Sequence, residues 1–147
     1  VGGNSDVEQK EKFDRVDDSV CAVRSALQEG IITGGGLALF RAATTLSQQK
    51  FEKTEDQKVA AEILIEAIKV PMQQIIRNAG KDMEEIIITL EGLSAHYGYD
   101  VKNEKVGDMY KMGVIDPLKV TKNALINAVS VATTILSTNA IITHARA

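Results

Sequence analysis

The chain has 147 residues, 44% of them hydrophobic and 25% charged, with a formal net charge of −3. That is room for one domain, or one with a small appendage, at the ordinary balance of a soluble globular protein, and the charge offers nothing to a polyanion such as nucleic acid. The single cysteine, Cys21, excludes an internal disulfide and a cysteine-based zinc site, and no apolar run reaches the roughly 18 residues that would span a membrane.

The first element is a long helix from about Ser5 to Gln28, opened by a Ser5–Glu8 capping box. Phe13, Val16, Val20, Val23 and Leu27 recur at spacings of 3, 4, 3 and 4, which predicts one apolar stripe. The rest of the segment is densely charged, so it reads as an arm packed on one side only. Gly30 ends it. After Ile31-Ile32-Thr33 and Gly34-Gly35-Gly36, a second helix over Leu37 to about Gln48 is apolar on nearly all faces and is expected to be buried all round. The composition shift near Gly30 marks the candidate domain boundary.

Gln49 to Glu55 reads as a polar loop, and a Thr54–Gln57 capping box opens the third helix. Pro71 is expected to kink or break it, with helical pattern resuming at Met72 and stopping at Gly80. A fourth helix starts at Asp82, with Glu85 at the capping-box position, and buries Ile86, Ile87 and Leu90. His96 to Val101 reads as a strand, Lys102 to Lys105 as a turn, and Val106 to Met112 as a short helix ending at Gly113. Asp116-Pro117 predicts a helix start, with Asp116 as N-cap and Pro117 at the first helical position. The last helix, to about Leu136, is almost wholly apolar from Ala124, and Ala140 to Thr143 reads as a terminal edge strand.

Two features could carry chemistry. Glycines at the start of the second helix would let an anion approach free backbone donors and the positive end of the helix dipole, but the same run serves equally as a tight turn that lets a buried helix pack closely. On the first helix Asp14 and Asp18 face away from the apolar stripe, and Asp17 and Asp18 could position a water or a metal, or form nothing more than a solvated face. His96 and His144 are expected at the surface or an edge, and Cys21 reads as a small side chain on a helix flank.

Longer blocks carry a resemblance. VGGNSDVEQKEKFDRVDDSVCAVRSALQEGIITGGGLAL resembles the run of group I chaperonins, the GroEL family, that joins the apical domain back to the equatorial domain. GYD with GVIDPLKVTKNAL resembles that family's late segment, and the similarity runs in order along essentially the whole chain. The opening Val-Gly-Gly reads as mid-protein sequence, so the chain is expected to be a C-terminal portion of a longer subunit.

The resemblance implies a mainly α fold. Residues 1–28 would be the end of the intermediate domain, with its long helix, and residues 29–147 the C-terminal part of the equatorial domain, with a small hairpin and terminal strand. It implies an ATP-driven folding chaperonin working with Mg2+. Asp18 matches the carboxylate that orients the water attacking the γ-phosphate, and Gly35 the glycine lying against the nucleotide. Asp100, Val101 and Lys102 match the segment around the adenine, Val114 an apolar residue packed on the base, and Asp116 the acid that binds the ribose. Relatives commonly carry Asn-Ala-Ala at 100–102, so the adenine contact is the part most altered here.

The family's Gly-Asp-Gly-Thr-Thr phosphate loop, whose aspartate holds magnesium, does not occur in the sequence, nor does a Gly-Met-rich tail. Metal-holding residues are therefore expected outside this chain. The partners implied are identical subunits in a heptameric ring, with a co-chaperonin and unfolded clients engaged through an apical domain. A bacterial cytoplasm is the expected compartment, with an organelle matrix as the alternative. A ring-assembly module without nucleotide activity is the competing reading.

Overall fold

A computed structural model describes residues 1–49, 54–140 and 142. Its elements run α1 (Asp6–Glu29), β1 (Ile31–Thr33), α2 (Leu37–Gln48), α3 (Glu55–Asn78), α4 (Met83–Leu90), β2 (Tyr97–Asp100), β3 (Lys105–Asp108), β4 (Ile115–Pro117) and α5 (Leu118–Leu136). The fold is mainly α, as expected, and the strands form two small pairs, β1 with β4 and β2 with β3. The chain divides into two compact units, Val1–Gly30 with Pro117–Ala147, and Ile31–Asp116.

In the first unit α1 lies along α5. Ser5 caps α1 by accepting the Glu8 N–H at 3.2 Å, but the box is not closed as expected: the Glu8 carboxylate takes the Asn4 N–H at 2.8 Å instead. Gly30 closes the helix, its N–H donating to Ala26 and its carbonyl accepting from Leu118 at 3.1 Å. Lys119 reaches Gln28 and Lys122 pairs with Glu29. The half-buried positions on α1 are Glu8, Ala22, Ser25 and Ala26, while the apolar stripe of Phe13, Val16, Val20, Val23 and Leu27 stays exposed. Small residues let two helix backbones approach, and here they make the contact that the larger ones were expected to make. On α5, almost wholly apolar from Ala124, no residue is buried.

The second unit holds the core. Leu37, Met72, Ile76, Ile86, Leu90 and Met109 are buried together, with Phe40, Met83, Tyr99, Val101, Met112 and Val114 packed against them. On α2 only Leu37 and Ala43 are buried and Ala42 is exposed, so this helix is not buried all round. The Thr54–Gln57 box opens α3 as expected, with both reciprocal bonds formed. Pro71 does not break α3, which runs unbroken through it. Proline in a helix interior costs about 3 kcal/mol, and burying each of Ile68, Met72 and Ile76 on one face returns about 1.5–3 kcal/mol. Asp82 caps α4 through the Glu84 N–H at 2.8 Å, not through a box with Glu85.

The largest correction concerns residues 106–112. Instead of a helix, Lys105–Asp108 forms β3, antiparallel to β2 with Tyr97 opposite Asp108 and Asp100 opposite Lys105. A helix this short is marginal by itself and Gly107 weakens it further, whereas the strand is fixed by its partner. Beyond the strand the chain keeps helix-type bonds only in a turn, from Met112 N–H to the Asp108 carbonyl at 3.0 Å and from Gly113 N–H to the Tyr110 carbonyl at 3.2 Å. Asp116 does not cap α5 either. It lies within β4, the N-cap position belongs to Pro117, and no side-chain bond caps the helix. Pairing with β1 holds Asp116 in the strand, one residue too early to reach the helix donors. Of the expected strand over 140–143, Ile141 and Thr143 lie outside the described residues, as do His144 and most of the expected polar loop over 49–55; Ala140 and Ile142 stand in no strand.

Candidate functional site

The three glycines after β1 divide the two roles the sequence left open. Gly34 donates its N–H to the Val114 carbonyl at 2.9 Å, and a Cβ there would stand 3.1 Å from the Ile115 nitrogen. Gly36 is the N-cap of α2 in the left-handed conformation, φ 75°, and a Cβ on it would stand 2.7 Å from the Met72 nitrogen in α3. That position is glycine because the start of α2 presses on α3. Gly35 is also left-handed but would meet only the Met109 Cε, at the ordinary distance of 3.4 Å. No side chain caps α2 and no acid stands in its first turn; the Leu37 N–H turns back to the Gly34 carbonyl at 3.2 Å, and the positive dipole end has no side-chain partner of its own.

Asp100 closes the β2–β3 hairpin. One carboxylate oxygen accepts the backbone N–H of Lys102 at 2.9 Å and of Asn103 at 3.3 Å, and the other accepts Asn103 Nδ2 at 2.6 Å. The Asn103 amide, then burial acting the other way, then the two backbone donors set its pKa, and the balance holds it below the ordinary Asp value. The carboxylate is thus occupied within its own loop. Val101 and Val114 are half-buried, both against the cluster that contains Met109, and Lys102 is exposed. Val114 is tied to the same place by its N–H bond to the Met109 carbonyl at 2.9 Å.

Asp116 is the opposite case. It is half-buried and its pKa is raised, with burial as the cause; among the described residues no donor or cation acts to hold the charge. Gly35 and Val114 therefore meet at Met109, Val101 packs on the same core cluster, and Asp116 stands two residues further along from Val114. Asp18 belongs to the other unit, exposed on α1 together with Asp14 and Asp17. No cluster of three metal-ligating side chains occurs among the described residues.

Sequence reasoning missed Asn103, whose Asp-x-x-Asn spacing to Asp100 is a known turn signal. It also missed the pairing of Lys81 with Glu104 at 2.8 Å, which links positions too far apart in sequence to be read together.

The profile of the TCP-1/cpn60 chaperonin family matches residues 1–146. The chain belongs to that family. A solved relative, described as a group III chaperonin in the open state, superposes on 97% of this chaperonin chain with a TM-score of 0.83 at 25% sequence identity. The match covers 30% of the relative, so the chain spans under a third of its length. The arrangement of helices and small strand pairs is therefore a chaperonin arrangement, shared with a group III member, whereas the sequence blocks resemble group I.

Proposed function

We propose that this chain supplies part of the ATP site of a folding chaperonin of group I. On this reading residues 1–28 complete the intermediate domain and residues 29–147 contribute to the equatorial domain. The observation that carries it is Asp116: a half-buried carboxylate with no donor of its own, on the strand paired beside the glycine turn. Such a group is poised to accept hydroxyl hydrogens from a sugar. The uncapped start of α2 behind Gly35 favours an anion, and the half-buried Val101 and Val114 offer an apolar rest for a base.

These residues fit a nucleotide, with one departure. Asp100 spends its carboxylate on Lys102 and Asn103, so its part is to shape the loop while Val101 and Lys102 present it. When bound with Mg2+, ATP supplies the phosphoryl group whose transfer to water drives the folding cycle. Asp18 is assigned to orient the attacking water and accept its proton, and phosphoryl transfer depends mostly on such positioning. The magnesium-holding residues are assigned outside this chain. Identical subunits in a heptameric ring, a co-chaperonin, unfolded clients and a cytoplasmic or organelle-matrix setting complete the proposal.

The second reading, a ring-assembly module, draws on Gly36, whose need for glycine comes from its left-handed backbone and its packing against Met72. Titration of the full-length chaperonin with ATP separates them. Asp116→Asn should weaken binding about tenfold or more, the scale of a hydrogen bond to a charged group. Unchanged affinity would leave the assembly reading standing.

A further inference from the structure

The segment Val101–Glu104 is held from three sides. Asp100 binds two of its N–H groups and the Asn103 amide from below. Val101 packs on the core. At the far end Glu104 takes φ 50°, uncommon for a residue with a side chain, and its carboxylate meets Lys81 Nζ at 2.8 Å.

Lys81 is itself fixed at the backbone. After α3 ends, its N–H donates to the Ile76 carbonyl at 3.2 Å while Gly80 donates to Arg77 at 2.9 Å, the paired bonds of a Schellman motif. Ile76 is among the most deeply buried residues of the chain. The ammonium thus extends from a point anchored in the core toward a loop end that would otherwise relax. The hydrogen bond to Glu104 is the main cause holding the Lys81 pKa above its ordinary value, with burial acting the other way and Tyr99 and Glu85 adding smaller upward pulls.

We propose that Lys81 and Glu104 are a positioning pair for nucleotide binding: by tying the α3–α4 connection to the hairpin loop, they hold Val101 and Lys102 in the conformation that meets the base. This rests on the proposed nucleotide site and adds to it a residue pair remote from the glycine turn and from Asp116. The loop's N–H groups at Lys102 and Asn103 are already spent on Asp100, so the backbone conformation of the loop decides what it can offer a base.

The test uses the full-length chaperonin and four variants: Lys81→Glu, Glu104→Lys, the double exchange, and Asp116→Asn as a reference for the site. Each single charge reversal should raise KM for ATP about three- to fivefold, near the ceiling for an exposed ion pair, and leave kcat within about twofold. The double exchange should restore KM, and in the wild type 0.5 M salt should reproduce part of the defect. A change confined to folding would instead lower the active fraction, and so kcat, without moving KM. If Asp116→Asn weakens nucleotide binding while both single reversals leave KM unchanged, or if the double exchange fails to restore it, the positioning role is wrong and the site stands. If no variant shifts nucleotide affinity, the site assignment falls and the pair's role with it.

Discussion

A carboxylate drawn part-way out of water prefers to keep its proton, and Asp116 is in that position. Its folded-state pKa is raised, so its contribution to stability is fully present below the unfolded value, about 3.9, and is lost as pH rises through the folded value. Asp116→Asn removes that loss. The variant should melt higher than the wild type at neutral pH and show no gain in acid, while binding nucleotide more weakly. A stability gain with full nucleotide affinity would leave burial without a ligand to explain it. Asp100 has the opposite sign: its pKa is lowered, and its stabilising effect is present above the unfolded value and fades as pH falls through the folded one. Asp100→Ala should therefore lower the urea midpoint at neutral pH and converge with wild type in acid. Asp18 has neither kind of embedding, being exposed on α1. In the full-length protein Asp18→Ala should leave ATP binding nearly intact and slow phosphate release by about a hundredfold. Lost binding with normal turnover of bound ATP would remove it from the chemistry.

At the scale of elements, local signals were legible where the chain's neighbours in sequence decide the outcome. The Thr54–Gln57 box and the Gly30 stop both depend on residues within one helical turn, and both are found as read. Elements decided by distant partners were misread. Residues 105–108 become a strand because β2 holds them, and Asp116 leaves the cap position because β1 does. Pro71 is carried through α3 by a buried face contributed from both sides of it. The candidate site follows the same rule. Gly35 and Asp116 could be singled out by residue type and resemblance, but the division of labour among Gly34, Gly35 and Gly36 needs the approach of α3 and β4. That division is measurable. Gly36→Ala meets both a left-handed backbone and the Met72 nitrogen, whereas Gly80→Ala, past the end of α3, meets a positive φ of 70° alone, having open space around it. The Gly80 change should cost about 1–2 kcal/mol. The Gly36 change should cost clearly more in thermal or urea unfolding of the full-length protein, and equal costs would mean that α2 and α3 can part without penalty.

For the molecule as a whole, the decisive feature is apolar surface left in water. On α1 the stripe from Phe13 to Leu27 is exposed, Leu27 at 83%, and on α5 so are Ile126, Val129, Val131, Ile135 and Leu136, the last at 83%. Singly exposed apolar residues are ordinary, but runs of them along a helix lower the solubility of a separated species and drive association. The 147-residue chain prepared alone should therefore be helical by circular dichroism and self-associate with rising concentration in sedimentation velocity. It should not turn over ATP. Affinity for a triphosphate rests on donors and a magnesium-holding carboxylate around the β- and γ-phosphates, and the sequence holds no Gly-Asp-Gly-Thr-Thr run to provide them. Calorimetric titration with Mg-ATP should give weak binding or none, and a phosphate-release assay should stay at background. Micromolar affinity with steady turnover would place the phosphates within this chain after all. The start of α2 at Gly34–Gly36, which no side chain caps, would then be the first segment to substitute, because it joins glycine access to the positive end of a helix.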